Sequence, residues 1–331
     1  MTISLSRARL VDLLDRAQGK RIAVVGDAML DVYLIGDVER ISPEAPVPVV
    51  RVRERKYALG GAANVAQNVV AIGARCDLVA AIGDDAAGAT LVRMLEALGG
   101  DRRSLVTVER PTTQKTRVVA RSQQLVRVDE EDDADLRGPD IERMREAVRR
   151  SVTDADAIVL EDYNKGVLVP AVIREAIELG TARGVPIVVD PKFRNFFAYR
   201  GATIFKPNRR ELESALGAEL DVDHPETIPA TLQRLGVEYI LLTLGERGMV
   251  LFSAAGEVAR VPTVAREVYD VVGAGDTVTA YLAAVLAAGG SANEAAAIAN
   301  VAAGIEVGKL GAATVPPDEL LEYADAHGLL R

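Results

Sequence analysis

Asp270-Val-Val-Gly-Ala-Gly-Asp-Thr277, continued at once by the Ala-rich run to about Ala288, is the stretch whose reading decides the fold. Gly273 and Gly275 permit a tight turn with no Cβ in the way. The run that follows predicts a helix over 275–288, and the free N–H groups of a helix's first turn form an anion site. Asp276 falls in that turn. A carboxylate there repels a bound anion, so it suits another task, taking the proton of a hydroxyl that attacks a phosphoryl group. The alternative is an Asp that caps a helix after a Gly-rich turn. The octapeptide alone leaves both readings open.

Outward from it, apolar runs of strand length alternate with helical patterns. Strands are expected at 21–26, 77–82, 157–160, 186–190, 203–205 and 239–243, and a hairpin at 248–252 and 257–261 around Ala255-Gly256. Helices are expected at 61–73, 85–99, 138–150, 170–183, 208–216, 225–235, 292–308 and 317–326, after a short amphipathic helix at the N-terminus. This alternation implies βαβ units and a parallel sheet. Residues 32–57 and 113–129 break it with extended runs and no intervening helix. They form either a small separate sheet suited to a lid, or an antiparallel edge on the main sheet.

A chain of 331 residues accommodates one large α/β domain or two small ones. Aromatic residues make up only 4% and Trp is absent, so the core must be built from Ala, Val, Leu and Ile. The net charge of −9 argues against nucleic acid as a partner. Cys76 is the single cysteine, which excludes an internal disulfide and a thiolate zinc site. His224 and His327 are too few for a His-based metal site. Arg7, Arg9, Asp12, Asp15 and Arg16 interrupt the start of the chain, so no signal peptide is read there. The longest uncharged run, Thr277 to Asn293, is shorter than the ~20 residues of a membrane helix. The expectation is a cytoplasmic protein with no membrane partner.

The octapeptide resembles the Asp-Thr-x-Gly-Ala-Gly-Asp signature of the ribokinase-like, or PfkB, family of carbohydrate kinases, with Val271 in the place of Thr. The resemblance implies an α/β fold with a mostly parallel central sheet flanked by helices and a small β-sheet lid. It implies one kinase domain over 1–331, with lid strands at about 32–57 and 113–129 and a homodimer formed through the lid. It makes Asp276 the base and the amides of Gly273, Ala274 and Gly275 the anion hole. Gly60-Gly61-Ala62-Ala63-Asn64 is similar to the family's N-terminal signature, which implies that Gly60, Gly61 and Asn64 contact sugar hydroxyls. Asp31 matches the family's sugar-binding Asp. Asn208 and Glu211 match its Asn-x-x-Glu motif, which governs Mg²⁺ and ATP phosphates. By spacing alone these two residues read as the capping box of a helix start. Thr243, Gly245 and Gly248 match the nucleotide loop. ATP and Mg²⁺ are therefore the implied cofactors.

No Gly-x4-Gly-Lys-Ser/Thr occurs, and the turn at Gly26 lacks Gly-x-Gly-x-x-Gly. Within the family, Arg40 to Val49, Glu161 to Leu168 and Asp190-Pro191-Lys192 are similar to the branch that phosphorylates heptose 7-phosphate for the lipopolysaccharide inner core. That likeness implies a sugar phosphate as the small-molecule substrate. A phosphate calls for cations, and the candidates are Lys115, Arg117, Arg121 and Arg127 on the second lid stretch, with Lys165, Lys192 and Arg194 nearer the core. The lid cations read equally as a solvated strand face. No His-x-Gly-His occurs, so a kinase without a nucleotidyltransferase module is expected. The alternatives are a kinase for ribose, fructose 6-phosphate or a nucleoside, and a catalytically silent sugar- or nucleotide-binding regulator.

Overall fold

The computed structural model describes residues 5–121, 123–222, 227–265 and 268–330. The chain opens with α1 (Arg7–Ala17) and β1 (Arg21–Gly26). Next come two long strands, β2 (Ala28–Ile41) and β3 (Pro48–Gly61), which lead into α2 (Ala62–Ala71). β4 (Arg75–Gly83), α3 (Ala86–Ala97) and β5 (Leu105–Val108) precede a second extended pair, β6 (Gln114–Ala120) and β7 (Gln123–Glu130). Regular alternation resumes with α4 (Pro139–Val152), β8 (Ala157–Glu161), α5 (Pro170–Arg183), β9 (Ile187–Asp190) and β10 (Ile204–Phe205). Two short helices, α6 (Arg209–Leu216) and α7 (Ile228–Leu235), are followed by β11 (Tyr239–Thr243) and the hairpin β12 (Met249–Ser253) and β13 (Val258–Val261). Three helices close the chain: α8 (Ala274–Ala287), α9 (Ala292–Glu306) and α10 (Pro317–Ala326).

The short apolar runs assemble one nine-stranded sheet in the order β13-β12-β11-β10-β9-β8-β1-β4-β5. Its pairs are parallel except at the hairpin edge, where β12 runs antiparallel to β11 and β13. β1, β8 and β9 are buried on both faces, as helices above and below require. One apolar layer packs α1, α2, α8 and α9 on the sheet, and a second packs α4, α5 and α7 on its other face. Small Ala side chains let α8 sink so far that every residue from Asp276 to Val285 is buried. Strand order reverses between β8 and β1, and in open α/β sheets such a switch point opens a crevice at the strands' carboxyl ends.

The two irregular stretches form a separate four-stranded sheet, β3-β2-β6-β7, and not an edge on the main one. Its register sorts side chains into two unlike faces, because successive residues of a strand point to opposite sides. Rows through Asp31–Lys115–Asp129 and Tyr33–Arg117–Arg127 make one face charged. Rows through Tyr57–Val32–Thr116–Val128 and Leu34–Val118–Val126 make the other largely apolar.

Three local expectations are corrected. β5 was not anticipated, since Leu105-Val-Thr-Val108 is short and carries no turn signal that marks it. α8 begins at Ala274, so Gly275 is helical and only Gly273 takes a positive φ, 97°. The helix expected from 225 begins at Ile228, and residues 225 and 226, like His224, lie outside the described residues. No helix among the described residues is long and apolar enough to cross a membrane.

Candidate active site

Asp276 sits in the first turn of α8, where both its carboxylate oxygens receive a hydrogen bond. Asn64 of α2 donates from Nδ2 to Oδ2 at 2.7 Å, and the Tyr163 hydroxyl donates to Oδ1 at 2.8 Å. Asn64 is itself fixed, because Asn68 Nδ2 donates to its carbonyl at 3.0 Å and Thr277 Oγ1 bonds Asn68 Oδ1 at 3.2 Å. Gly61, the residue before α2, has φ 56°, a conformation costly for any residue with a Cβ. A Cβ on Gly60 would lie 2.9 Å from the Asp31 carboxylate, so the Gly-Gly pair brings backbone close to Asp31.

Two more buried carboxylates stand beside Asp276. Glu161 ends β8 and Asp190 ends β9, and oxygens of Glu161, Asp190 and Asp276 lie within 4.8 Å of one another. Lys206, buried just after β10, donates to Asp190 at 2.7 Å. Among the described residues Glu161 has no hydrogen-bond partner on either oxygen. Its burial, then the charges of Asp190 and Asp276, hold its carboxyl well above the usual range. Burial likewise pushes Asp276 up to about 6, against the opposing pull of its bonds to Asn64 and Tyr163. The same burial, with Asp276 next to it, keeps the Tyr163 hydroxyl protonated and a donor. Glu306 at the end of α9 also has no well-formed hydrogen bond on either oxygen among the described residues, and burial raises it to about 8 against the weaker pull of the Ala313 N–H.

On the other side of the α8 start lies a cavity of about 520 Å³. It gathers Asn208, Thr243, Gly245 and Gly248 against Ala274, Gly275, Val271 and Gly304. The predicted nucleotide loop and the predicted anion hole thus share one wall. Glu211 has two other engagements. Its Oε2 accepts from Asn208 N at 2.8 Å while Asn208 Oδ1 accepts from Glu211 N at 2.9 Å, which completes the capping box of α6. Its Oε1 pairs with Lys192.

Of the lid candidates, Arg121 lies exposed in the turn between β6 and β7 and makes no ion pair among the described residues, whereas the three on the charged face of the small sheet are each paired. Arg117 donates to Asp31, Lys115 pairs with Asp129 and Glu131, and Arg127 pairs with Asp129. Lys165 pairs with Glu131 and Arg194 with Asp133. Lys192 stands 5.3 Å from the Tyr163 ring centroid. Sequence reasoning gave no role to Glu161, Tyr163, Asp190, Lys206 or Glu306. Glu306 is the one charged residue of α9 beyond its first turn, and that was a visible signal for it. The others come together only at the carboxyl ends of neighbouring strands.

A buried carboxylate in the first turn of a helix, with a cavity of about 520 Å³ against the residues just before it at the carboxyl ends of parallel strands, is an arrangement that suits a small-molecule kinase of α/β type. The chain belongs to the pfkB family of carbohydrate kinases, whose model it matches over residues 20–319, and it is a sugar kinase. It is similar to the bifunctional protein HldE of Rhodospirillum rubrum, 47% identical over 91% of this chain and 61% of that protein. It is also similar to the bifunctional protein HldE of Citrifermentans bemidjiense, 45% identical over 98% of this chain and 67% of that protein. The chain therefore spans about three-fifths to two-thirds of the length of these curated relatives. Among solved structures, Arabidopsis thaliana ribokinase complexed with ribose and ATP superposes with a TM-score of 0.71 at 20% identity, over 92% of this chain and 98% of that one. Escherichia coli phosphofructokinase-2 in complex with potassium gives 0.76 at 19% identity, over 94% and 99%. At these identities the likeness establishes the fold.

Proposed function

We propose that this sugar kinase transfers the γ-phosphoryl group of ATP to the anomeric hydroxyl of D-glycero-β-D-manno-heptose 7-phosphate, giving the 1,7-bisphosphate on the route to ADP-heptose and the lipopolysaccharide core. The observation that carries phosphoryl transfer is the placement of Asp276, buried and doubly hydrogen-bonded at the edge of the cavity that Thr243, Gly245 and Gly248 line. Its carboxylate takes the proton of the attacking hydroxyl. The N–H groups at the start of α8 face the charge that develops on the transferred group. Asn208 and the 243–248 loop hold the nucleotide.

A divalent ion fits the donor set. Glu161 offers two partnerless oxygens beside Asp190, and hard carboxylate ligands suit Mg²⁺. Bound there, with Glu211 and Asn208 acting through water, Mg²⁺ would offset the charge of the triphosphate. Asp31, Gly60, Gly61 and Asn64 border the acceptor sugar. Lys115, Arg117, Arg127 and Lys192 meet the 7-phosphate, each exchanging a carboxylate partner for a phosphate one. The small sheet closes over the sugar as a lid on a single kinase domain of residues 1–331, and its apolar face meets a second copy.

Heptose as the acceptor is supported by the similarity to HldE. The test is turnover with heptose 7-phosphate, heptose, ribose and fructose 6-phosphate. A charge-assisted contact contributes about 1.5–3 kcal/mol, so loss of the phosphate is expected to lower kcat/KM at least ~10-fold. Equal use of heptose or ribose refutes the sugar-phosphate assignment and leaves the kinase standing.

A further inference from the structure

The Asp276 carboxylate is clamped from two independent elements, and only one clamp belongs to the sugar-binding signature. Asn64 reaches it from α2. Tyr163 reaches it from the loop after β8, and that loop is built with unusual care. Asp27, just past β1 and buried, accepts three backbone N–H bonds from it: Tyr163 at 2.8 Å, Lys165 at 2.9 Å and Val167 at 3.1 Å. Between them Asn164 is held at φ 55°, a conformation that persists for a non-glycine residue only where its surroundings enforce it. Those surroundings are explicit: Asn164 N donates to Asp162 Oδ1 at 2.7 Å, and Asn164 Oδ1 accepts from Arg194 N at 3.3 Å. The Tyr163 ring lies between Lys192 on one side and Gly61, whose added Cβ would be 3.4 Å from ring Cδ2.

We propose that Tyr163 is the positioning residue of the base: fixed by the Asp27-anchored loop, its hydroxyl holds the Asp276 carboxylate plane so that a remaining lone pair faces the acceptor hydroxyl. A carboxylate rotates freely about its last bond, and one donor on each oxygen stops that rotation. Each oxygen accepts a single bond here and keeps capacity for a second, so the incoming hydroxyl need not displace Tyr163. Misaligned proton acceptance slows the chemical step and leaves nucleotide binding alone.

The inference rests on Asp276 being the base, and a double-mutant cycle on the full chain separates the two claims. Tyr163→Phe removes one oxygen. It is expected to lower kcat about 10-fold with the KM for ATP within twofold of the parent. In an Asp276→Asn background the same change is expected to cost less than twofold, because the group through which Tyr163 acts is already gone. Parental kcat in Tyr163→Phe overturns the proposal, and so does an equal loss in both backgrounds, which marks a merely structural role. Tyr163→Met, a second donor-free side chain, is read by the same criteria if the Phe variant fails to fold. Undiminished turnover in Asp276→Asn alone instead removes the base assignment beneath it.

Discussion

Asp276 is a residue under opposed influences, with burial favouring its neutral form and two hydrogen bonds favouring the carboxylate. Burial prevails and places it at about 6. A base works only when ionised, so kcat/KM is expected to be level above that pH and to fall about tenfold per unit below it. Asp276→Asn keeps the shape and both donors' positions while removing the proton acceptor. It should lower kcat by ~10²–10⁴ with ATP binding retained, measured by steady-state turnover alongside nucleotide titration. Near-parental turnover would rule the base out. Glu306 is perturbed in the same direction, up to about 8, by burial first and then by the charges of Asp276 and Asp270. Its folded-state value lies above that of an exposed carboxyl, so its contribution to stability is fully present below the ordinary range, near pH 4. That contribution is lost as pH rises through about 8. Glu306→Gln cannot ionise. The melting temperature of the variant relative to the parent should therefore rise between pH 5 and pH 9, and a difference that stays constant would contradict the burial argument.

At the scale of an element, α6 shows a structural and a functional reading sharing the same atoms. Its capping box is complete, and Glu211 also faces Lys192, which in turn faces the Tyr163 ring beside Asp276. The helix start thus connects the cavity wall to the Asp276 carboxylate through side chains in contact. Glu211→Gln keeps an acceptor for the cap and deletes the charge. Stability should change by less than about 1 kcal/mol. The Mg²⁺ concentration for half-maximal rate should rise, since a charged outer-sphere acceptor is lost. An unmoved Mg²⁺ titration would leave Glu211 as a cap and a partner for Lys192, and nothing more.

Across the whole molecule, the two faces of the small sheet differ in character. The charged face holds Asp31, Lys115, Arg117 and Arg127. The opposite face exposes Val52, Tyr57, Val126 and Val128 at 42–49% of their surface. Contiguous exposed apolar side chains on a sheet mark an interaction surface, and a second copy of this chain is the partner proposed. Val126→Asp puts a charge on that face, at its β7 edge. Sedimentation at micromolar concentration should then shift from dimer to monomer, whereas a parent that already sediments as a monomer would remove the dimer reading.

How much of this was legible in the chain depends on how far apart the participants lie. The helix start at Asp276, the capping box of α6 and the strand Tyr239–Thr243 are local objects. They follow from Gly placement, Asn and Glu three residues apart, and an apolar run of strand length, so the alternating pattern was enough to predict a parallel sheet with helices on both faces. Local pattern also flagged 32–57 and 113–129 as extended, but it could not choose between a fifth-wheel sheet and an added edge, since strand pairing depends on distant partners. The site depended on still longer reach. Asn64 and Asp276 are 212 residues apart, and Tyr163 and Asp276 are 113. Charge along the sequence pointed to lid cations that could meet a phosphate, whereas the register of β6 beside β2 and β7 places Lys115, Arg117 and Arg127 against carboxylates. The sequence by itself determined which segments are strands and helices, and which carboxylate heads the buried helix. Only the tertiary structure decided what surrounds that carboxylate, because parallel strands bring residues together at their carboxyl ends whatever their separation along the chain.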